Sequence, residues 1–336
     1  MRTKGENKPS IHLTTTEISN IWSAHLKITM ELRLYEYFYE CVDNLEIKQI
    51  IEKLMTHSHQ NLTELKKLFT QDDLTLPIGF TEKDVNKNAQ KAFSDSFIMN
   101  FCNDLTLLSL STYPSALSDS TRKDVRSFFQ NCIDFTMNIQ NEITDFMLVN
   151  GLYSKPPQVA MQKGVEFVES KKYLSNLLSG HRSLNAAEIS NLYRIIHRAQ
   201  FSKMVFVTFG RMAKSQKVKK YFSKGRDSIE NVGRTLQGIL ETENIPISSS
   251  GDFTFYEVED SPFSDKLMIY FVNLCIAMFC FIMLGQALNS SLRTDLQVKL
   301  TTISAGFRKY YGEGLLLTIE ENWLEEPPQA IDTKIK

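Results

Sequence analysis

With six histidines and five cysteines in 336 residues, the chain offers few groups for metal or nucleophilic chemistry. Four residues stand out by type and spacing. His25 and Glu36 fall on inward heptad positions of one long helical stretch, and His59 and Asp104 could face inward from the next two. Imidazoles and carboxylates gathered inside a helical protein can hold a divalent ion. The same four residues also suit a buried polar network, with a carboxylate satisfying His59, or a solvated boundary. His57 and His59 cannot share an ion, because two residues along a helix turn the side chain by about 200°. The cysteines (Cys41, Cys102, Cys132, Cys275, Cys280) are odd in number and lack CxxC spacing. None has a capping position or a histidine beside it, so they read as buried thiols of a reducing compartment. No Ser-His-Asp motif and no glycine-rich phosphate loop is present. No catalytic, cofactor-binding or metal-binding residue is therefore assigned.

Two other groupings have a functional and a plain reading. Lys214, Lys217, Lys219, Lys220, Lys224 and Arg226 form a basic run. It could meet an acidic partner or membrane headgroups, but the preferred reading is a solvated helix–helix corner. The aromatic stripe Tyr35, Tyr37, Phe38 and Tyr39 reads as packing between helices rather than a cofactor box. The formal net charge is −1, from 38 basic and 39 acidic residues, which argues against a nucleic-acid surface. The N-terminal residues 1–8 have no apolar segment behind them, so no signal peptide is expected and the expected compartment is the cytoplasm.

The elements that must position these groups are helices. Thr14 and Glu17 have capping-box spacing, and apolar residues at Ile18, Trp22, Leu32 and Tyr39 extend a helix of roughly 28 residues, about 42 Å. Asp43-Asn44 ends it. A second helix follows over 46–71 and a third from Ser94-Asp95 to about Leu117, with Pro114 expected to kink it. Ser118 or Ser120 should cap a fourth, closed by Asn150-Gly151.

This pattern occurs twice. Leu13-Thr-Thr-Thr-Glu17-Ile-Ser-Asn20 returns as Leu184-Asn-Ala-Ala-Glu188-Ile-Ser-Asn191, at an offset of 171. At the same offset Ala116-Leu117, Arg122 and Asp124 return as Ala287-Leu288, Arg293 and Asp295, and Pro156-Pro157-Gln158 as Pro327-Pro328-Gln329. Phe93-Ser-Asp95 returns as Phe263-Ser-Asp265, at 170. The chain therefore reads as two copies of one domain of ordinary single-core size. In each, short connections join the first two helices and the last two, while a long one runs between, over 72–93 and about 243–261. In the second crossover, residues 253–258 could form a short extended piece.

Two hairpins joined by one long crossover make the ferritin-like arrangement. The fold class expected is all-α: two tandem ferritin-like four-helix bundles, over 11–153 and 184–327, with a packed linker over 154–183 (Val165, Phe167, Val168, Tyr173, Leu174, Leu177, Leu178). Di-iron bundles of this kind carry Glu-x-x-His on two helices. Here Thr56 precedes His59 by three and Leu54 precedes His57, and copy two has Glu230 and Val207 where His59 and Glu36 would recur. A standard di-iron centre is not expected. Residues 267–288 carry no charge and by length could span a membrane. Their copy-one counterpart holds Asn100, Asn103, Asp104, Ser109, Ser111 and Pro114, so a buried central helix is expected and no membrane span.

The residues now resemble a known family. They include the Leu13-to-Trp22 opening, His59 before Leu62-Thr-Glu64-Leu, the crossover Pro77-Ile-Gly-Phe-Thr-Glu82-Lys-Asp84-Val85-Asn86 and Phe93-Ser-Asp95. Pro262-Phe-Ser-Asp-Lys-Leu-Met268 and Trp323-Leu-Glu-Glu-Pro-Pro-Gln329 complete the set. They are similar to a bacterial family catalogued as a domain of unknown function and common in spore-forming Gram-positive bacteria. The resemblance covers nearly the whole chain and implies a tandem ferritin-like fold, with no activity to carry over. A looser similarity of fold to spore-coat ferritin-like proteins suggests a context. The expected role is a non-catalytic structural or interaction protein linked to sporulation or stress. The alternatives are a metal-binding protein or metal-dependent oxidoreductase using the copy-one interior, and a carrier of an apolar ligand. A protein partner or a homo-oligomer stays open.

Overall fold

The capping box at Thr14 forms and opens α1 (Thr15–Cys41); its repeat at Asn185 opens α5 (Ala186–Met212). The computed structural model describes residues 11–175, 182–247 and 253–330, without the side chains of 275–279. Copy one continues with α2 (Leu45–Gln71), α3 (Asp95–Ser118) and α4 (Lys123–Val149). Copy two continues with α6 (Gln216–Thr242), α7 (Asp265–Phe271), a π-helical stretch (Val272–Ala277), α8 (Met278–Ser290) and α9 (Thr294–Glu320). The chain is all-α and duplicated. The apolar run 267–288 is thus not one uninterrupted helix. Leu267, Met268, Ile269, Phe271 and Val272 are buried, whereas Gly285 and Gln286 on α8 are exposed. Among the described residues no helix is long and apolar enough to cross a membrane.

The residues that recur between the copies are corner pieces. Glu17 returns one carboxylate oxygen to the Thr14 amide (2.8 Å), and its other oxygen accepts the Thr121 and Arg122 amides (both 2.8 Å) at the start of α4. Glu188 repeats this on Asn185, Leu292 and Arg293, each at 3.0 Å. One carboxylate therefore caps two helices. This corrects the expected cap of α4: neither Ser118 nor Ser120 serves, Ser120 donating instead to the Ala116 carbonyl at 2.7 Å. Asp95 accepts the Asp43 and Asn44 amides, and Asp265 the Lys214 and Ser215 amides, tying each α-hairpin turn to the next hairpin. Arg122 bridges Asp72 (2.5 Å) and Asp124 (2.7 Å); Arg293 bridges Glu243 (2.6 Å) and Asp295 (2.8 Å).

The copies share a core. Phe101 of α3 packs on Phe201 of α5 (5.3 Å between centroids) and on Phe271 of α7 (5.4 Å), and Tyr37 of α1 meets Phe263 edge-on at 5.2 Å. The two crossovers pair with each other: Val85 lies antiparallel to Phe263 and Phe93 to Phe255, so the extended piece expected at 253–258 is a single bridge. A second apolar cluster, around Trp22, Phe69 and Phe129, belongs to copy one alone. The linker does not pack along its length as expected. Val165 and Phe167 are each 88% exposed, because Pro156-Pro157 starts an extended run with no helical face to bury. Its ends are held, by Ser154 on Tyr193 and by Arg182 over the Tyr173 ring, while Leu177 and Leu178 lie outside the described residues.

Copy two has an interlock of its own. Tyr221 of α6 and Tyr310 of α9 stack at 4.4 Å and 5°, and the Tyr221 hydroxyl donates to Asn273 Oδ1 at 2.9 Å. Each hydroxyl lies over a glycine of the facing helix, Tyr310 over Gly225 and Tyr221 over Gly314, where a Cβ would collide with it. Copy one fills the same four places with Ile50, Leu54, Ile139 and Ile143.

Candidate functional site

The structure does not gather His25, Glu36, His59 and Asp104. His59 is exposed on α2. Glu36 is buried against Arg33 (3.0 Å) and Lys87 (3.3 Å). Asp104 forms an ion pair across the seam with Arg198 of α5. His25 is buried edge-on to Phe69, and burial pushes its imidazole below the ordinary histidine range. Among the described residues no three His, Cys, Asp or Glu side chains stand close enough to hold a metal. The inward grouping of these four residues, from which the metal-binding alternative started, does not form. On α2 the buried positions Leu54, Ser58, Asn61 and Leu65 share one face, and His59 falls well off it, toward solvent.

The polar centre of copy one is built on Lys27 instead. Its side chain is buried on α1, and Nζ donates to Glu31 Oε1 (2.6 Å), Ser109 Oγ (2.7 Å) and Tyr113 Oη (3.3 Å). The ammonium has three protons, and three acceptors meet them. Burial weighs against the charge, but Glu31 and then Tyr113 outweigh it and hold the amine above the usual lysine range. His57 closes one side, stacked on Phe135 at 3.7 Å and 13°. Burial, helped by the charge on Lys27, pushes it down to about 4, so the ring is neutral at pH 7.

Position 198 is the repeat of position 27, and it also carries a buried cation. Copy two has Ser202 where copy one has Glu31, so Arg198 finds its carboxylate in the other copy, on Asp104. Each cation lines a cleft where helices of the two copies meet. Arg198 and Asp104 line one of about 410 Å³, with Asn103, His197, Phe201 and Met283. Lys27 and Tyr113 line one of about 380 Å³, with Asn20, Leu274 and Ile282. Sequence reasoning missed Lys27, Glu31 and Arg198. The available signal was an i,i+4 ion pair in an apolar stretch, with a second cation at the repeat offset.

The remaining groups are structural. Burial pushes the Cys41, Cys132 and Cys280 thiols up to about 12 and Cys102 higher still, so none is a ready thiolate. In the basic run Lys217 pairs with Glu320 (3.2 Å) and Lys224 with Glu313 (2.5 Å), tying α6 to α9. Tyr37 and Phe38 pack in the shared core.

No curated protein matches the chain. Among solved structures, a "putative spore coat protein" from Bacillus halodurans is similar at 17% identity and a TM-score of 0.42, over all of that chain and 46% of this one. The family described as protein of unknown function DUF3231 matches residues 1–165 and again 173–335, one span for each copy, and the chain belongs to that family.

Proposed function

We propose that the chain is a non-catalytic structural or interaction protein of the cytoplasm, built from ferritin-like units over 11–153 and 184–327. The context proposed is sporulation or stress, following the family resemblance. The observation that carries the reading is Lys27. Where a metallated four-helix bundle holds its ions between carboxylates, copy one holds an ammonium, and its partners satisfy it. A divalent ion brought there would face a fixed positive charge at contact distance. Elemental analysis of protein purified without a histidine tag is the test, with iron, manganese and zinc expected well below one ion per chain. Stoichiometric metal that disappears in Glu31→Gln would overturn the reading.

A second reading rests on the inter-copy cleft of about 410 Å³, in which Phe201 and Met283 stand beside Asn103 and His197. Such a lining suits a small ligand with an apolar body and one polar head. Native mass spectrometry of the freshly purified chain would show this ligand as a discrete added mass; a bare chain counts against it.

A further inference from the structure

The outward faces of α4 and α9 are repeats of one another, and they have diverged in opposite directions. On α9 the positions 298, 302, 305, 309, 312, 316 and 319 follow alternating steps of four and three, the spacing of a helix-packing seam. They carry Val298, Thr302, Ala305, Lys309, Gly312, Leu316 and Ile319. Val298, Leu316 and Ile319 are 57%, 61% and 52% exposed, an apolar stripe that the described residues leave uncovered. The same positions on α4 read Ser127, Asn131, Asp134, Asn138, Asn141, Asp145 and Leu148. The fold therefore does not require the α9 stripe, since its own other copy manages with a polar face there.

Charge identifies what fits the stripe. Residues 11–153 carry 12 basic and 19 acidic side chains, whereas 184–327 carry 16 of each. Around the stripe stand Arg308 and Lys309 on α9 and Lys220 on α6, and none has an ion-pair partner among the described residues. On the copy-one face Asp134 and Asp145 are exposed and likewise without a partner, beside Met137 and Leu148 at 48% and 41% exposure. Pairing α9 with α9 of a second chain would press Arg308 and Lys309 against their own copies near the middle of the seam, which like charge opposes. Pairing α9 with α4 of a second chain brings a face with uncovered cations to one with uncovered carboxylates, and each face carries exposed apolar groups. The contacts between described residues of the two copies run through α1, α3, α5, α7, α8 and the crossovers, so among the described residues both outer faces stay open.

We infer that the chain associates head to tail, the α6–α9 face of one molecule docking on the α2–α4 face of the next. Such a contact is heterologous: each bound molecule presents a fresh face, and growth continues beyond a dimer unless the ring closes. The inference stands on the two outer faces and does not depend on the reading of the Lys27 centre.

Sedimentation of the full chain across a concentration series tests it. At low salt the average mass is expected to rise past two chains, and to fall back when salt screens the contact. Leu316→Asp, which installs the side chain copy one has at that place, blocks one face; Asp134→Lys with Asp145→Lys blocks the other. All three positions are exposed, and circular dichroism confirms that each variant is folded. Each variant alone is expected to stay monomeric, and an equal mixture to form a complex of two chains and no more, because one open face of each kind remains. A wild-type chain that stays monomeric, or stops at two, overturns the inference. So does a blocked variant with wild-type mass, or a mixture that stays monomeric.

Discussion

Lys27 keeps its charge inside the protein because every proton on it has an acceptor, and that condition makes the site intolerant of single changes. Removing the lysine leaves Glu31 buried with no counter-ion, while removing both replaces an ion pair by apolar contact. Lys27→Met is expected to lower unfolding stability by about 3–5 kcal/mol, and Lys27→Met with Glu31→Leu to recover most of it, as read by urea unfolding. A double variant no better than the single one would mean that the hydroxyls of Ser109 and Tyr113, rather than the carboxylate, hold the lysine in place. At this scale the sequence was a poor guide. Composition and spacing singled out histidines, which are the common ligands. The ionic centre is made of a lysine and a glutamate whose burial depends on helices 80 residues away along the chain.

Helix positions were far more legible, because a capping residue and a 3.6-residue apolar period are local signals. The predicted start at Thr14 and the breaks at Asp43-Asn44 and Asn150-Gly151 all lie at helix ends. The start of α4 was misassigned because its cap, Glu17, lies 104 residues earlier. The same carboxylate gives a pH dependence. Burial alone would raise its pKa, but the amides of Arg122, Thr14 and Thr121 lower it below 4.5. A depressed folded value means that the stabilisation is complete above the unfolded value and is lost as pH falls through the folded one. Glu17→Gln is expected to be about 1–2 kcal/mol less stable than wild type at pH 7, with the gap closing as pH falls below the ordinary glutamate range. Denaturant unfolding at several pH values checks this, and a gap that widens on acidification would contradict it.

At the scale of the whole molecule, duplication and the packing of the copies on one another could be read from the sequence, whereas the residues that join them could not. Two repeats predict two domains; they do not predict that Phe101 packs on Phe201 and Phe271, or that Asp104 neutralises Arg198. Contacts of this kind make the copies cooperative. Scanning calorimetry is expected to show one transition rather than two, and Asp104→Leu to lower its midpoint by removing the carboxylate that pairs with buried Arg198 across the seam. Two resolved transitions in the wild-type chain would show that the seam is weaker than its packing implies.

Ser202 gives that seam a direction. Its place is the one from which Glu31 serves Lys27, so position 202 supplies no carboxylate and Arg198 pairs with one from the sibling copy. The N-terminal cation is thus matched from within its own helix and the C-terminal one from across the seam, and Ser202→Glu is the substitution that would give the second half the same local arrangement as the first.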